Sequence, residues 1–338
     1  MSAVGIVDIE AYAPGQVQTA EEIAAVSGIP ADVIRNKFGL DRKHIAGPDE
    51  HVSVLAAKAA TPLLARQRDG AIDALLYMGS PYRDFPVWSA APKVQQLVAP
   101  SADGALAFDV QGVSAGTPIS LRVAKGLILG DPRVRQVLLV GGSREHDLID
   151  YENGRSRFMF TFGAGGAATL LRRDHPRNHV LETVGLTDGS FADDVMVPAG
   201  GSREPPTDAT LRRRRHYLDV RDPAEMKRRL DPISAERFVR VATEAVERSG
   251  YRVSDIALVC PIHSKRSVFG AVMQGLGLRE DQGIYLSDRG HMSAIDPLVG
   301  LHRARESGRL RDGDLVVLLA AGTGYSWVAT AIRWGSAA

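Results

Sequence analysis

The segment Ala107-Phe108-Asp109-Val110-Gln111-Gly112-Val113-Ser114-Ala115-Gly116-Thr117 sets a serine at a junction: an apolar run ends, a glycine permits a tight turn, and a helical pattern begins. A hydroxyl there lies near the positive end of a helix dipole. The serine's own N–H is in position to stabilise an oxyanion. The chemistry this allows is acyl transfer through a serine ester, given an adjacent base, because serine is a poor nucleophile at its free pKa. Taken alone, the same residue also reads as an ordinary helix N-cap. Cys260, the single cysteine, ends the apolar run Ile256-Ala257-Leu258-Val259 and reads as a small buried hydrophobe, not a nucleophile. One cysteine leaves no intramolecular disulfide and no Cys-rich metal site, and it fits a reducing cytoplasm. The nine histidines are expected to hold no metal, and no Gly-x-x-x-x-Gly-Lys phosphate loop occurs.

The elements that must position such a serine alternate along the chain. Strand-like runs fall at 73–78, 107–110, 137–140, 256–260, 283–286 and 315–319, with helical patterns at 52–66, 115–129, 233–249, 265–277 and 294–306. Alternation of this kind predicts an α/β protein with a mostly parallel sheet. The order also repeats. In each half a strand ends at a proline-bearing turn, a second strand leads into a helix, a third ends in small residues, and a Gly-rich turn opens a fourth: Gly163–Leu171 in the first half, Gly322–Thr330 in the second. The middle strands begin 30 residues apart in both halves, 107 to 137 and 285 to 315. Two homologous halves, 1–175 and 176–338, are therefore expected. The stretch from about 190 to 230, with Gly200-Gly201, Pro205-Pro206 and Arg212–Arg215, breaks the pattern and reads as a long irregular excursion.

The 338 residues carry 41 basic and 40 acidic side chains, a net charge of +1, so no global attraction to nucleic acid or acidic membranes is expected. No apolar run approaches the ~20 residues of a membrane span. The first residues lack the pattern of a signal peptide, and a cytoplasmic protein is the expectation.

Phe108-Asp109-Val110, followed by Ser114-Ala115-Gly116, resembles the nucleophile motif of the β-ketoacyl-ACP synthase III family, which carries cysteine before Ala-Gly. Ile34–His44 is similar to that family's Arg-x-Gly-Ile-x-x-Arg segment. Phe162–Ala168 resembles its Gly-Asp-Gly-Ala-Gly-Ala-Ala turn without the aspartate, and Gly322–Trp327 its Gly-Gly-Gly-Phe-Thr-Trp loop. The resemblance runs nearly the whole length. It implies the thiolase fold, with two duplicated βαβαβαββ halves in a five-layered αβαβα arrangement.

The departures shape the functional expectation. The family's Pro-His-Gln-Ala-Asn is matched loosely by Pro261-Ile262-His263-Ser264-Lys265, which makes His263 a shifted counterpart of the family histidine. Its Gly-Asn-Thr-Ser-Ala corresponds to Gly290-His291-Met292-Ser293-Ala294, so His291 stands in the asparagine slot, with Asp296 five residues on. Decarboxylative condensation relies on a neutral His–Asn pair, and a histidine in the second place weakens it. Ser114, His291 and Asp296 together instead have the composition of a Ser–His–Asp triad, with His263 as the alternative third member. Asp296 also precedes Pro297, so a helix cap is its plainer reading. An acyltransferase branch of the family shares the His and Asp substitutions, and an anthracycline starter-unit relative shares the serine.

The same resemblance implies oxyanion donors at the N–H of Ser114 and of Gly324. It implies donor-binding cations at Lys37 and Arg42, and the basic run adds Arg213. It also implies an acyl-length limit at Phe85 or Trp88 contributed across a homodimer. No permanently bound cofactor is expected. The donor would be acyl-CoA or an acyl-phosphopantetheine on a carrier protein, and the acceptor a small-molecule hydroxyl or amine, or a carrier thiol. The expected function is acyl transfer in natural-product biosynthesis. Its rivals are a condensing or starter-unit enzyme and a non-catalytic synthase partner.

Overall fold

A computed structural model describes residues 3–67 and 70–336. Its strands are β1 (Val4–Tyr12), β2 (Gln16–Thr19), β3 (Arg42–Ile45), β4 (Ala74–Gly79), β5 (Leu106–Gln111), β6 (Gln136–Ser143), β7 (Gly165–Arg173), β8 (Arg177–Thr187), β9 (Val195–Met196), β10 (Asp219–Val220), β11 (Ile256–Pro261), β12 (Leu315–Gly322) and β13 (Ser326–Ser336). The α-helices are α1 (Ala20–Ser27), α2 (Ala31–Val33), α3 (Val52–Ala65), α4 (Ala90–Leu97), α5 (Gly116–Gly130), α6 (Asp208–Arg212), α7 (Pro223–Arg248), α8 (Arg266–Gly275) and α9 (Asp296–Glu306).

Nine strands join in the order β11-β12-β13-β8-β1-β7-β6-β4-β5. The two halves meet where β1 pairs β8 through Gly5 and His179. Read outward from that seam, the order is β1, β7, β6, β4, β5 on one side and β8, β13, β12, β11 on the other. The second half thus repeats the first, one strand short. The missing counterpart of β5 is the 283–286 run, which sequence predicts as a strand. It forms only an isolated parallel bridge, Gly283 to Val259. Tyr285 there turns its ring to Phe269 and His263, so side-chain packing takes the place of a ladder.

Three cores separate the layers. The outer face of the first half-sheet packs Leu75, Tyr77, Leu138 and Leu170 against Leu63, Leu64 and Val94 of α3 and α4. The outer face of the second packs Val317, Leu319 and Ala329 against Phe238, Val241, Phe269 and Val272 of α7 and α8. Between the sheets, Leu121, Ala124 and Ile128 of α5 and Leu298, Leu301 and Ala304 of α9 share one core with Leu139, Leu171, Leu318 and Ile332. This is the five-layered αβαβα thiolase architecture. The apolar positions on α5 and α9 face two sheets, which is why both helices are buried on more than one side.

The excursion is more ordered than its composition suggests. It holds α6, the antiparallel pair β9–β10 and the start of α7. Asp222 caps α7 by accepting from Ala224 and Glu225, and Pro223 fits the first helical turn. The helix therefore begins ten residues earlier than the expected 233.

Candidate active site

The two central helices start at matching places in the duplicated halves. Ser114 lies in the 3-10 turn Val113–Ala115 that opens α5, and Asp296 is the first residue of α9, after the 3-10 turn Ser293–Ile295. Both turns hold a non-glycine residue at positive φ, Val113 at 48° and Ser293 at 52°. For β-branched Val113 this is a strained conformation, of the kind that clusters where a side chain must be aimed. The start of α5 packs closely on the turn before α9: a Cβ on Gly116 would lie 2.8 Å from that of Ala294, and the Thr117 hydroxyl donates to the Ala294 carbonyl at 2.5 Å.

That contact brings together side chains 177 residues apart. Ser114 Oγ lies 2.8 Å from His291 Nε2, and His291 Nδ1 lies 2.6 Å from Asp296 Oδ2. A carboxylate only accepts, so the imidazole proton sits on Nδ1 and leaves Nε2 to accept from the serine hydroxyl. Asp296 is fully buried, while Ser114 and His291 are each 7% exposed. The carboxylate is also held by two backbone N–H groups: His263 donates to Oδ2 at 2.8 Å and Met292 to Oδ1 at 2.7 Å. Asp296 thus does not act as the helix cap that its place before Pro297 suggests; it orients His291.

His263 enters the same pocket differently. Both its ring nitrogens are buried, and among the described residues neither makes a well-aligned hydrogen bond, with the Phe38 backbone the nearby polar group that favours its charged form. Burial pushes the imidazole down to about 4, outweighing the nearby Asp296 carboxylate, so it is neutral near pH 7. It is not the group bonded to His291, and of the two candidates only Asp296 occupies the third place of the chain of hydrogen bonds.

Phe162 and Met292 are site residues to which sequence reasoning gave no role. The Phe162 ring meets His291 edge-on at 4.9 Å. The backbones on either side pair as well: His291 N–H donates to Thr161 O and Gly163 N–H to His291 O, each at 2.9 Å. Gly290, at φ 71°, is required there, because a Cβ would lie 2.2 Å from Thr161 O. The signal was the Gly-rich turn after Phe162, read only as a turn. Gly322 presses on the nucleophile's own turn, where an added Cβ would meet Gly112 O at 2.5 Å and Ser114 N at 3.3 Å. Gly324, two residues on, has φ 142° and open space around it.

The other expected residues lie apart from this cluster. Lys37 is exposed on the π-helical turn Ile34–Phe38, and Arg42 is exposed on β3. Phe85 and Trp88 pack edge to face at 5.8 Å in the loop after β4, with Phe85 64% exposed. Arg213 lines a cavity of about 510 Å³ with Arg155, Arg214, Arg215, Asp150 and Glu204. The basic run is not a uniformly free patch: Arg214 pairs with Asp150 at 2.6 Å and Arg215 with Glu204 at 2.5 Å. Cys260 is fully buried, and burial drives its thiol far up, away from the thiolate.

His175 and His179 do have the His-x-x-x-His spacing, but they flank the start of β8, and His179 bonds the His175 carbonyl. Among the described residues no group of three His, Cys, Asp or Glu is placed to hold a metal, and no helix is long and apolar enough to cross a membrane.

Residues 108–189 match the family 3-oxoacyl-[acyl-carrier-protein (ACP)] synthase III, and residues 246–334 match its C-terminal part. The β-ketoacyl-[acyl-carrier-protein] synthase III of Roseiflexus castenholzii is 31% identical over 327 residues, 96% of each chain. A solved 3-oxoacyl-(acyl-carrier-protein) synthase III superposes with a TM-score of 0.86 at 25% identity, covering 98% of this chain and all of that one. The priming β-ketosynthase of the R1128 polyketide pathway shares the fold, with a TM-score of 0.82 at 21% identity over 99% of this chain and 97% of its own.

Proposed function

The chain belongs to the β-ketoacyl-[acyl-carrier-protein] synthase III family, whose members are enzymes, and from that premise we propose that it is an acyltransferase working through a Ser114 ester. The observation that carries this reading is the continuous chain Ser114 Oγ–His291 Nε2 at 2.8 Å and His291 Nδ1–Asp296 at 2.6 Å. A serine with a base and an orienting carboxylate is a complete nucleophile.

In the first half-reaction Ser114 Oγ attacks the thioester carbonyl and its proton passes to His291 Nε2. The tetrahedral intermediate collapses, the thiolate leaves with that proton, and a serine ester remains. In the second, His291 takes the proton of an acceptor hydroxyl, amine or thiol as it attacks the ester, then returns it to Ser114 Oγ. The Ser114 N–H at the mouth of α5 and the N–H of Gly324 are the assigned oxyanion donors. Lys37, Arg42 and Arg213 are assigned to the phosphates of acyl-CoA or of a carrier-bound phosphopantetheine. The edge strand β5, with Leu106 65% exposed at its start, supports a homodimer through that edge, and the exposed Phe85 and Val87 lie in the loop beyond its other end. In that dimer Phe85 or Trp88 would reach the partner's acyl site. Natural-product biosynthesis in the cytoplasm is the setting we assign.

A second reading, priming of a polyketide chain by condensation, is favoured by one observation. Buried, neutral His263, whose ring makes no well-aligned hydrogen bond among the described residues, is suited to donate to a thioester oxygen. Intact-protein mass after incubation with acyl-CoAs from acetyl to hexanoyl, with malonyl-CoA added in a second arm, separates the two. An acyl adduct at Ser114 that passes to hydroxyl or amine acceptors without loss of CO2 supports acyl transfer. Release of CO2 with a carbon–carbon product supports condensation. Absence of any adduct from acyl-CoA and from acylated carrier protein alike would overturn the enzyme reading.

A further inference from the structure

Among the described residues Lys43 is the largest basic side chain with no solvent exposure. No carboxylate pairs with it among the described residues. Its Nζ donates to one acceptor among those residues, the Phe160 carbonyl, at 2.8 Å, and lies 5.4 Å from the centre of the Tyr151 ring. Burial lowers the amine to about 7. In either protonation state it keeps N–H donors. An apolar side chain of the same length would fill this space without the cost of desolvating an amine, so packing alone does not account for it.

The position of its stem is more informative. A Cβ added to Gly163 would lie 3.4 Å from Lys43 Cβ, and one added to Gly290 would lie 3.1 Å from it. Lys43 therefore wedges between the two glycines that flank the His291 bridge. Phe160, the residue whose carbonyl it holds, is followed by Thr161, which accepts from His291 N–H, and by Phe162, whose ring rests on the imidazole. Three consecutive residues thus tie the amine to the base.

We propose that Lys43 is a positioning residue for His291, its amine fixing the segment Phe160–Gly163 against which the imidazole is set toward Ser114. The inference rests on the reading of His291 as the base. Without the amine, the Phe160 carbonyl loses its donor and the segment is free to shift. A shift of a fraction of an ångström at Nε2 is enough to slow proton transfer, since catalytic geometry tolerates little displacement.

Lys43→Met removes the amine and keeps most of the stem. Two readouts test it. The first is the rate constant of acyl-enzyme formation at saturating acyl-CoA, taken with the donor concentration giving half that rate. The second, in protein without donor, is the NMR signal of the His291 Nδ1 proton shared with Asp296. The expected result is a rate constant about tenfold lower or more, an unchanged half-saturating concentration, and a shifted or exchange-broadened proton signal. A rate constant and a proton signal both at the wild-type values would overturn the proposal. If the wild type takes no acyl group, the acyltransferase reading has failed and the proton signal alone decides the role of Lys43. If Lys43→Met does not fold, Lys43→Arg, which retains a donor for Phe160, is measured instead. Wild-type values in both readouts support the donor role, and loss in both despite the retained donor overturns it.

Discussion

The backbone N–H of His263 donates to Asp296 Oδ2 at 2.8 Å, the same oxygen that receives the Nδ1 proton of His291 at 2.6 Å. One carboxylate thus holds His291 by its ring and His263 by its main chain. Substitutions at the three positions are therefore expected to differ in kind.

Ser114→Ala is expected to abolish the acyl adduct with little change in melting temperature, because one hydroxyl is removed and the turn is kept. Intact mass and thermal melting check this. An adduct persisting in the variant would place the nucleophile elsewhere.

His291→Ala should slow acylation by three or more orders of magnitude, as loss of a triad base does. Asp296→Asn should slow it by about two or more orders, because an amide sharing the Nδ1 contact favours the wrong tautomer. It should also cost about 1–3 kcal/mol of stability, since the buried acceptors for His263 and Met292 are disturbed. Single-turnover acylation and urea unfolding measure both effects. A wild-type acylation rate in Asp296→Asn would leave the orienting role to another group.

Gly322→Ala should impair the site without touching the triad. Its methyl would lie 2.5 Å from the Gly112 carbonyl, which is backbone and cannot swing aside, so the Ser114 turn must move. A fall in acylation rate of about tenfold or more is expected, with a loss of roughly 1–3 kcal/mol in stability. Activity and unfolding unchanged would mean that this contact relaxes freely.

Burial holds folded His263 at about 4, below the ~6.5 of an exposed histidine. Between these values the unfolded chain binds more protons, so stability is full above about pH 6.5 and is lost as pH falls toward 4. His146, also lowered to about 4 by burial, adds to the same slope. Each contributes at most about 3 kcal/mol over the window. Urea midpoints measured from pH 8 to pH 4 should fall accordingly, and His263→Asn should flatten the decline. Parallel curves for variant and wild type would count against a neutral buried His263.

Leu106→Lys places a charge on the exposed edge of β5. It is expected to shift the protein from dimer to monomer in sedimentation velocity at micromolar concentration. A dimer of undiminished stability would move the interface off this edge.

The sequence by itself determined the alternation of elements, the duplication into halves, and the strand–turn–helix junction at Ser114. These are written in short-range pattern: apolar runs of strand length, helical periodicity, and glycines at turns. It also carried His291 and Asp296 through a local motif. The tertiary structure alone decided how those residues are placed against one another. Residues 114 and 291 meet because the start of α5 packs on the turn before α9 between the two half-sheets, with Gly116 small enough to admit Ala294. Whether Asp296 caps its helix or orients a base depends on where His263 and Met292 present their N–H groups, and no local pattern encodes that. The 283–286 run pairs only at Gly283 because the Tyr285 ring is drawn into contact with Phe269 and His263. The arginine run is divided between ion pairs and cavity wall by Asp150 and Glu204, the first of them some sixty residues away along the chain. Lys43, inconspicuous in a charged stretch, gains its meaning only from the two glycines and the carbonyl that enclose it. Short-range pattern specifies elements; the contacts that make a site come from elements distant in the chain, chosen by how the layers pack.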